Sequence, residues 1–173
     1  MSLPEIVYMG EMMNYPGVIN GTEEVHRKLD IAKKAEKPVD GHAPGLTGEM
    51  LRKYVAAGIS TDHECSALDE ALEKISLGMK ILIREGSAAR NLDSLKELFN
   101  ICPETVMLCS DDLHPEMLLK RHINKLIAQL ISEGFNVFDV IRSATINPVS
   151  HYKLNAGLLK QGQSADFIIV DDL

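Results

Sequence analysis

Short apolar runs alternate with segments of helical periodicity along most of the chain. The runs end at glycine, proline or charged residues, which is typical of strands. They predict five strands, at 5–10, 39–42, 59–64, 79–86 and 105–109. Between them, apolar residues recur at helical spacing, which predicts helices at 23–37, 49–57, 66–77, 92–99, 116–133 and 137–144. Each predicted strand is therefore followed by a predicted helix.

Successive strand-to-helix units favour parallel strands joined by helical crossovers. We therefore predict an α/β fold, a partial TIM-type (β/α) barrel of about five parallel βα units at 1–150. A complete eight-stranded barrel would need about 250 residues, more than the 173 present. After position 150 the pattern changes, and two short strands at 157–159 and 165–170 predict the start of a small β domain at 151–173.

Two histidines, His42 and His63, end consecutive predicted strands. The carboxyl ends of barrel strands form the active site, so both imidazoles are expected at one mouth. Each could be a metal ligand, a general base or a packed side chain. Acidic residues end the other three predicted strands, namely Glu11, Glu85 and Asp111. Imidazole together with carboxylate suits a divalent metal ion.

Composition narrows the class of protein. A formal charge of −7 and a pI near 5.3 argue against nucleic acid or an anionic membrane as the main partner. The three cysteines are an odd number and lack C-x-x-C spacing, which argues against a disulfide framework. They fit a reducing cytoplasm. No apolar run reaches the roughly 18 residues of a membrane span. A cytoplasmic protein acting on a small molecule is the prediction.

Several ordered segments resemble the bacterial adenine deaminases, a family of the amidohydrolase superfamily. They are GEMMNYPGVI, DGHAPGL, STDHEC, REGSAARNL, CSDDLHP, INPVSHY and GQSADFIIVDDL. The resemblance implies hydrolysis of adenine to hypoxanthine and ammonia by metal-activated hydroxide. It implies manganese or iron, with zinc also compatible with these ligands. Glu11 would bridge two metal ions and take part in catalysis, His42 and His63 would hold one ion, and Asp111 would carry the proton.

The roles of the neighbouring residues stay open. Glu11 could instead be a solvated or capping carboxylate. Glu85 and Arg84 could contact the purine or form a local ion pair. Metal-bound imidazoles usually donate their other N–H to a carboxylate or carbonyl.

Three further polar residues follow the same strands. Glu64 and Asp112 are expected to orient the metal ligands, and Asp112 is also the alternative to Asp111 as proton carrier. His114 could assist proton transfer or lie on the surface.

The sequence also departs from the family pattern. Family barrels begin with a strand that carries a His-x-His pair of metal ligands, and this sequence contains none. We therefore expect a fragment covering the second half of the barrel, with an incomplete version of a dinuclear centre and no activity of its own. The alternatives are a fragment of another cyclic amidohydrolase or deaminase, and a non-catalytic interaction module.

A barrel cut open exposes two sheet edges. The expected edges are 6–9 and 106–109, both apolar. Such edges and the open interior favour association, so a two-fold homodimer is predicted. The competing arrangement has the helices at 116–144 folded back over the open side.

Overall fold

The strands of the predicted array are all present. The structure, a computed structural model, describes residues 1–156 and 158–171. Its strands are β1 (Met9–Met12), β2 (Val39–Gly41), β3 (Thr61–Asp62), β4 (Lys80–Arg84) and β5 (Val106–Cys109). Every pairing is parallel, in the orders β1-β2 and β3-β4-β5. Ser60 joins the two sheets, because its N–H donates to Val39 O at 3.0 Å. This is the α/β arrangement that the sequence predicts for a partial (β/α) barrel.

Helices connect and cover these strands. They are α1 (Tyr15–Ile19), α2 (Glu23–Lys34), α3 (Gly48–Ala56), α4 (Leu68–Ser76), α5 (Leu92–Leu95), α6 (Leu98–Ile101), α7 (Pro115–Leu118), α8 (Ile123–Ser132), α9 (Val137–Arg142) and α10 (Ile146–His151). In α2, Val25, Leu29 and Ala32 form a buried stripe at helical spacing. One apolar cluster packs α2 and α3 on β1 and β2, and a second packs α4, α5 and α8 on β4 and β5.

Most predicted elements are shorter in the structure, and three of them differ further. β1 starts at Met9 rather than at position 5, because pairing with Val39 fixes its register and leaves residues 6–8 outside the sheet. The helix predicted at 92–99 is two short helices, α5 and α6. The helix predicted at 116–133 is also divided, into α7 and α8, because the backbone of His122 is extended.

The predicted exposure of the β5 edge was wrong. The N–H of Leu108 donates to Ser143 O at 3.1 Å, and the amide of Asn147 donates to Val106 O at 2.7 Å. The segment after α8 therefore folds back on β5 and satisfies its backbone. The segment at the other predicted edge is not covered in this way, because Ile6, Val7 and Tyr8 are exposed.

The two short strands predicted near the C-terminus do not form within residues 158–171, and Gly157 lies outside the described residues. Ile168 and Ile169 are 85% and 89% exposed there. An isolated strand pair is marginal without a packing layer, which explains the irregular backbone. A separate domain at 151–173 stays a prediction. Across the described parts of the chain, no helix has the length and apolar character required to cross a membrane.

Candidate metal centre

Three consecutive strands bring Glu11, His42 and His63 together, as the parallel order predicted. One ligand atom from each lies within 4.8 Å of the others. Glu11 Oε2 is 3.2 Å from His42 Nδ1 and 3.0 Å from His63 Nε2. Glu64 joins the group, because its Oε1 lies 3.3 Å from His63 Nε2 and 3.6 Å from His42 Nδ1. Two imidazoles and two carboxylates thus face one point.

Close approach of the backbones produces this convergence. A Cβ on Gly41 would lie 2.2 Å from Thr61 O, so a side chain there would push β2 away from β3. The fully buried Tyr54 connects β2 to β1. Its hydroxyl accepts from the N–H of His42 at 3.0 Å and donates to Met12 O at 3.1 Å.

The donor set fits a divalent cation. The side chain of His63 is only 8% exposed, and its Nε2 lacks a hydrogen-bond partner of acceptable geometry among the described residues. Buried polar atoms normally have a partner, since leaving one unpaired costs about 1–3 kcal/mol. A cation would bind His63 Nε2, and mixed imidazole and carboxylate ligands suit manganese, iron or zinc. Glu64 Oε1 is buried as well, but it is already paired with Arg84 Nη1 at 2.6 Å.

Arg84 holds Asp111 beside this cluster. Its Nη1 donates to Asp111 Oδ2 at 2.5 Å and lies 2.6 Å from Glu64 Oε1. Asp111 has a φ of +44°, a conformation that aspartate tolerates better than most residues. The sequence left Arg84 as either a purine contact or a member of a local ion pair. In the structure Arg84 forms ion pairs with Asp111 and Glu64.

Glu85 contacts a different part of the molecule. Its Oε1 accepts from the N–H of Leu92, the first residue of α5, at 3.2 Å. Its Oε2 lies 3.6 Å from Arg121 Nη1. These contacts fasten the loop after β4 and explain the side-chain orientation without a ligand.

Asp112 and His114 do not join the ligand cluster. Asp112 accepts from the N–H of Ala88 at 2.9 Å and of Ser87 at 3.0 Å, and these bonds, that of Ala88 first, hold its pKa below the usual value. A Cβ on Gly86 would lie only 1.8 Å from Asp112 Oδ1. The exposed His114 donates its backbone N–H to Ser87 Oγ. Both residues tie the loop after β5 to the loop after β4.

A cavity of about 200 Å³ opens next to the cluster, lined in part by Glu11, His63 and Asp111. Asp40 also lines it, and burial raises the pKa of Asp40 although Thr61 Oγ1 and Tyr152 Oη donate to it. A larger cavity, of about 450 Å³, lies between α1, α2 and α3 and contains none of the cluster residues. We assign the chemistry to the smaller one because it adjoins the converging ligand atoms.

Sequence reasoning missed the residues that support the cluster from behind. Tyr54, Glu70 and Lys74 occupy helices, and their charge and spacing resemble those of ordinary helix surfaces. In the structure Lys74 is fully buried and bonds to Ala43, which follows His42, and to Asp62, which precedes His63. A lysine and glutamate four residues apart were the only sequence signal, and that spacing is common on exposed helices.

Comparison with known proteins agrees with this geometry. The model of the amidohydrolase family matches residues 1–172. An adenine deaminase of Methanosarcina barkeri is 58% identical over 98% of this chain, and one of Salinibacter ruber is 52% identical over 98%. One of Sulfurovum sp. is 51% identical over the whole chain. The chain spans only 31–32% of the length of these relatives. The matched family model and the converging ligands lead to one conclusion: the chain belongs to the amidohydrolase family.

Proposed function

We propose that this chain carries metal-binding and proton-transferring residues of an adenine deaminase, which converts adenine and water to hypoxanthine and ammonia. The observation that supports this most is the convergence of Glu11, His42 and His63, with a buried His63 Nε2 left without a hydrogen-bond partner among the described residues. The specific reaction rests on the likeness to adenine deaminases.

In this proposal Glu11, His42 and His63 hold a divalent ion, and Glu64 orients the imidazoles. Manganese or iron is favoured by the family likeness, and zinc is compatible with the same donors. A bound divalent ion would supply a nucleophile near neutral pH, by lowering the pKa of bound water from 15.7 towards about 7.

Asp111 is the proposed proton carrier. Replacing the exocyclic amine forms a C–O bond and breaks a C–N bond, so a proton must leave the attacking water and reach the departing nitrogen. A carboxylate beside the cavity can accept and return that proton. Arg84 keeps Asp111 at the cavity wall through its hydrogen bond. Arg84 pairs with Asp111 and Glu64, and Glu85 is bonded to Leu92 and Arg121, so a contact of either residue with the purine would have to be made beside these bonds and stays a prediction.

The centre formed by this chain has few ligands. The sequence contains no His-x-His pair, and the described cluster supplies two imidazoles and two carboxylates. We infer that the 173-residue chain binds at most one divalent ion, weakly, and deaminates adenine negligibly by itself.

We also propose a homodimer in a reducing cytoplasm. Exposed Ile6, Val7 and Tyr8, in the segment before β1, support association. Free cysteines at positions 65, 102 and 109 support the compartment.

The test is a titration of the chelator-treated chain with Mn²⁺, beside an ammonia-release assay with adenine. About one weak site per chain is expected, with turnover near background. His63→Ala should abolish binding, while the matched control His122→Ala, at an exposed histidine, should not. Absence of binding by the unmodified chain would overturn the metal assignment. Two tightly held ions with robust turnover would overturn the inference of an incomplete centre.

A further inference from the structure

One helix contacts the segments that follow both histidines. We call these segments, 42–47 and 63–67, the histidine loops. Glu70, on α4, accepts from the N–H of Gly45 at 2.9 Å through Oε1, and from the N–H of Ser66 at 3.3 Å through Oε2. A single carboxylate therefore bonds to both loops.

A buried ammonium completes this link. Lys74 Nζ donates to Ala43 O at 2.8 Å, to Asp62 Oδ2 at 2.9 Å and to Glu70 Oε1 at 2.6 Å. Its side chain is fully buried. Burial alone would lower the pKa of Lys74, but the carboxylates of Asp62 and Glu70, which accept from the ammonium, outweigh that effect and raise the pKa. All three ammonium protons have acceptors, so the lysine is held in one position.

Asp62 forms the other half of the connection. Its Oδ1 accepts from the N–H of Ala43 at 2.8 Å, and its Oδ2 accepts from the N–H of Glu64 at 3.1 Å. The thiol of Cys65 also donates to Oδ2 at 3.2 Å. Ala43 directly follows His42, and Asp62 directly precedes His63. The bonds therefore fix the backbone immediately beside each imidazole.

The ammonium of Lys74 lies beside a group of acidic residues that could otherwise attract a cation. Asp62, Cys65 and Glu70 have ligand atoms within 4.8 Å of one another, a group that could hold a metal ion by itself. Lys74 bonds to two of these three residues. Breaking such a pair leaves buried charge uncompensated, which is strongly unfavourable. The lysine is thus an internal counter-ion whose removal must disturb both carboxylates.

We propose that Lys74, Asp62 and Glu70 are positioning residues that fix the two histidine loops and so preorganise His42 and His63 for a divalent ion. The proposal deepens the function inferred above and rests on it for the identity of the ligand. Metal sites bind more tightly when outer residues hold their ligands, and loss of such residues typically costs about 10–100-fold in affinity.

Glu70→Gln is the decisive variant, because it preserves size and removes one acceptor. Glu70 accepts on both oxygens, whereas glutamine would turn an NH₂ group towards either Ser66 or the pair Gly45 and Lys74. At least one loop bond must therefore break. The matched control is Glu73→Gln on the same helix, because the side chain of Glu73 accepts from the N–H of Gly48, which lies beyond the histidine loops.

The first measurement is amide hydrogen exchange on the metal-free chain. Glu70→Gln should speed exchange at Gly45 or Ser66 by at least about tenfold, since a lost bond opens the loop locally. The amide of Glu85, which donates to Cys109 O on β5 at 3.2 Å, serves as the internal reference and should not change. Glu73→Gln should alter Gly48 only. Unchanged exchange in folded Glu70→Gln would overturn the fastening role.

The second measurement is Mn²⁺ affinity by titration calorimetry. Glu70→Gln should weaken binding at least about tenfold, and Lys74→Met should weaken it further or prevent folding. Glu73→Gln should bind like the unmodified chain. Equal affinity in Glu70→Gln, with circular dichroism unchanged, would overturn the positioning role. Failure of the unmodified chain to bind Mn²⁺ would instead refute the proposed function and the metal-positioning role with it, while the exchange result would still decide whether the cluster fastens the loops.

Discussion

Removing one oxygen atom tests the link between β1 and the first histidine. The change is Tyr54→Phe. The hydroxyl of Tyr54 is buried and takes part in two hydrogen bonds, from the N–H of His42 and to Met12 O. Phenylalanine fills nearly the same volume, so the apolar packing of the ring is retained. The variant therefore isolates the effect of the two bonds.

The expected loss follows from what is left unpaired. A buried donor or acceptor without a partner costs about 1–3 kcal/mol. Met12 O is buried and the N–H of His42 is partly buried, so the sum is about 2–4 kcal/mol. For a chain of this size each kcal/mol shifts Tm by about 2–4 °C, which gives a fall of roughly 5–15 °C. Because Met12 follows Glu11 and His42 bears the imidazole, Mn²⁺ affinity should fall as well.

Urea unfolding measures this loss as a change in midpoint at constant slope. Tyr15→Phe is the matched control, because Tyr15 packs on the same apolar cluster and its hydroxyl donates to no other described residue. The control should change the free energy of unfolding by less than about 0.5 kcal/mol. If Tyr54→Phe stayed within the same limit, the hydroxyl could not be what joins the two strand ends.

Three other changes test separate parts of the molecule. Burial raises the pKa of Asp40, so the contribution of Asp40 to stability is present below the unfolded pKa near 3.8 and is lost as pH rises through the folded value. Asp40→Asn should lack this loss. Urea unfolding at pH 4 and pH 7 measures it, and the reasoning fails if the stability of the unmodified chain relative to Asp40→Asn does not fall between these two pH values. Gly86→Ala should destabilise by about 1–3 kcal/mol through its clash with Asp112, and a thermal-melt cycle should find a smaller cost in the Asp112→Ala background. Sedimentation over a tenfold concentration range should reveal a dimer formed through the exposed residues 6–8, whereas one monomeric species that binds no hydrophobic dye would refute it.

The sequence predicts the strand order well because its signals are local. Glycine and proline end the second predicted strand, and a segment of helical periodicity follows every predicted strand. This alternation favours parallel pairing of the strands. The position of β1 is different. Ile6 and Val7 have strong strand propensity, yet the sheet begins at Met9 because the partner strand starts at Val39. Register depends on a neighbour about 30 residues away, which no local pattern contains.

The candidate site also combines features that the sequence predicts with features that depend on tertiary contacts. Convergence of Glu11, His42 and His63 follows from parallel strands alone, because their carboxyl ends share one edge. The partners of Arg84 and Asp112 depend instead on loop conformation and rotamers. Adjacent acidic residues after β5 thus contact different groups: Asp111 contacts Arg84 at the cavity, and Asp112 contacts the backbone of the neighbouring loop. The sequence could not separate these two residues.

Whether a charged helix residue is buried is the feature that this sequence predicts least well. Lys74 lies four residues after Glu70, a spacing that usually marks a solvated surface pair. Here the same pair is buried because Asp62 and the carbonyl of Ala43 supply the remaining acceptors. The distinction arises only when two loops from different strands meet α4. Tertiary contacts therefore place a common helix pattern behind the candidate metal centre.

The hydrogen bonds that hold the histidine loops are distinct from the metal ligands of the candidate centre. The loop contacts come from Tyr54 on α3, from Glu70 and Lys74 on α4, and from Asp62 at the end of β3. All of these residues lie within this chain, so the geometry of the two histidines does not depend on ligands supplied from elsewhere. Metal affinity, by contrast, rises with the number of ligands. Adding a peptide that contains a His-x-His pair should therefore tighten Mn²⁺ binding without changing exchange at the histidine loops, and a change in both would show that the loops are ordered by the metal instead.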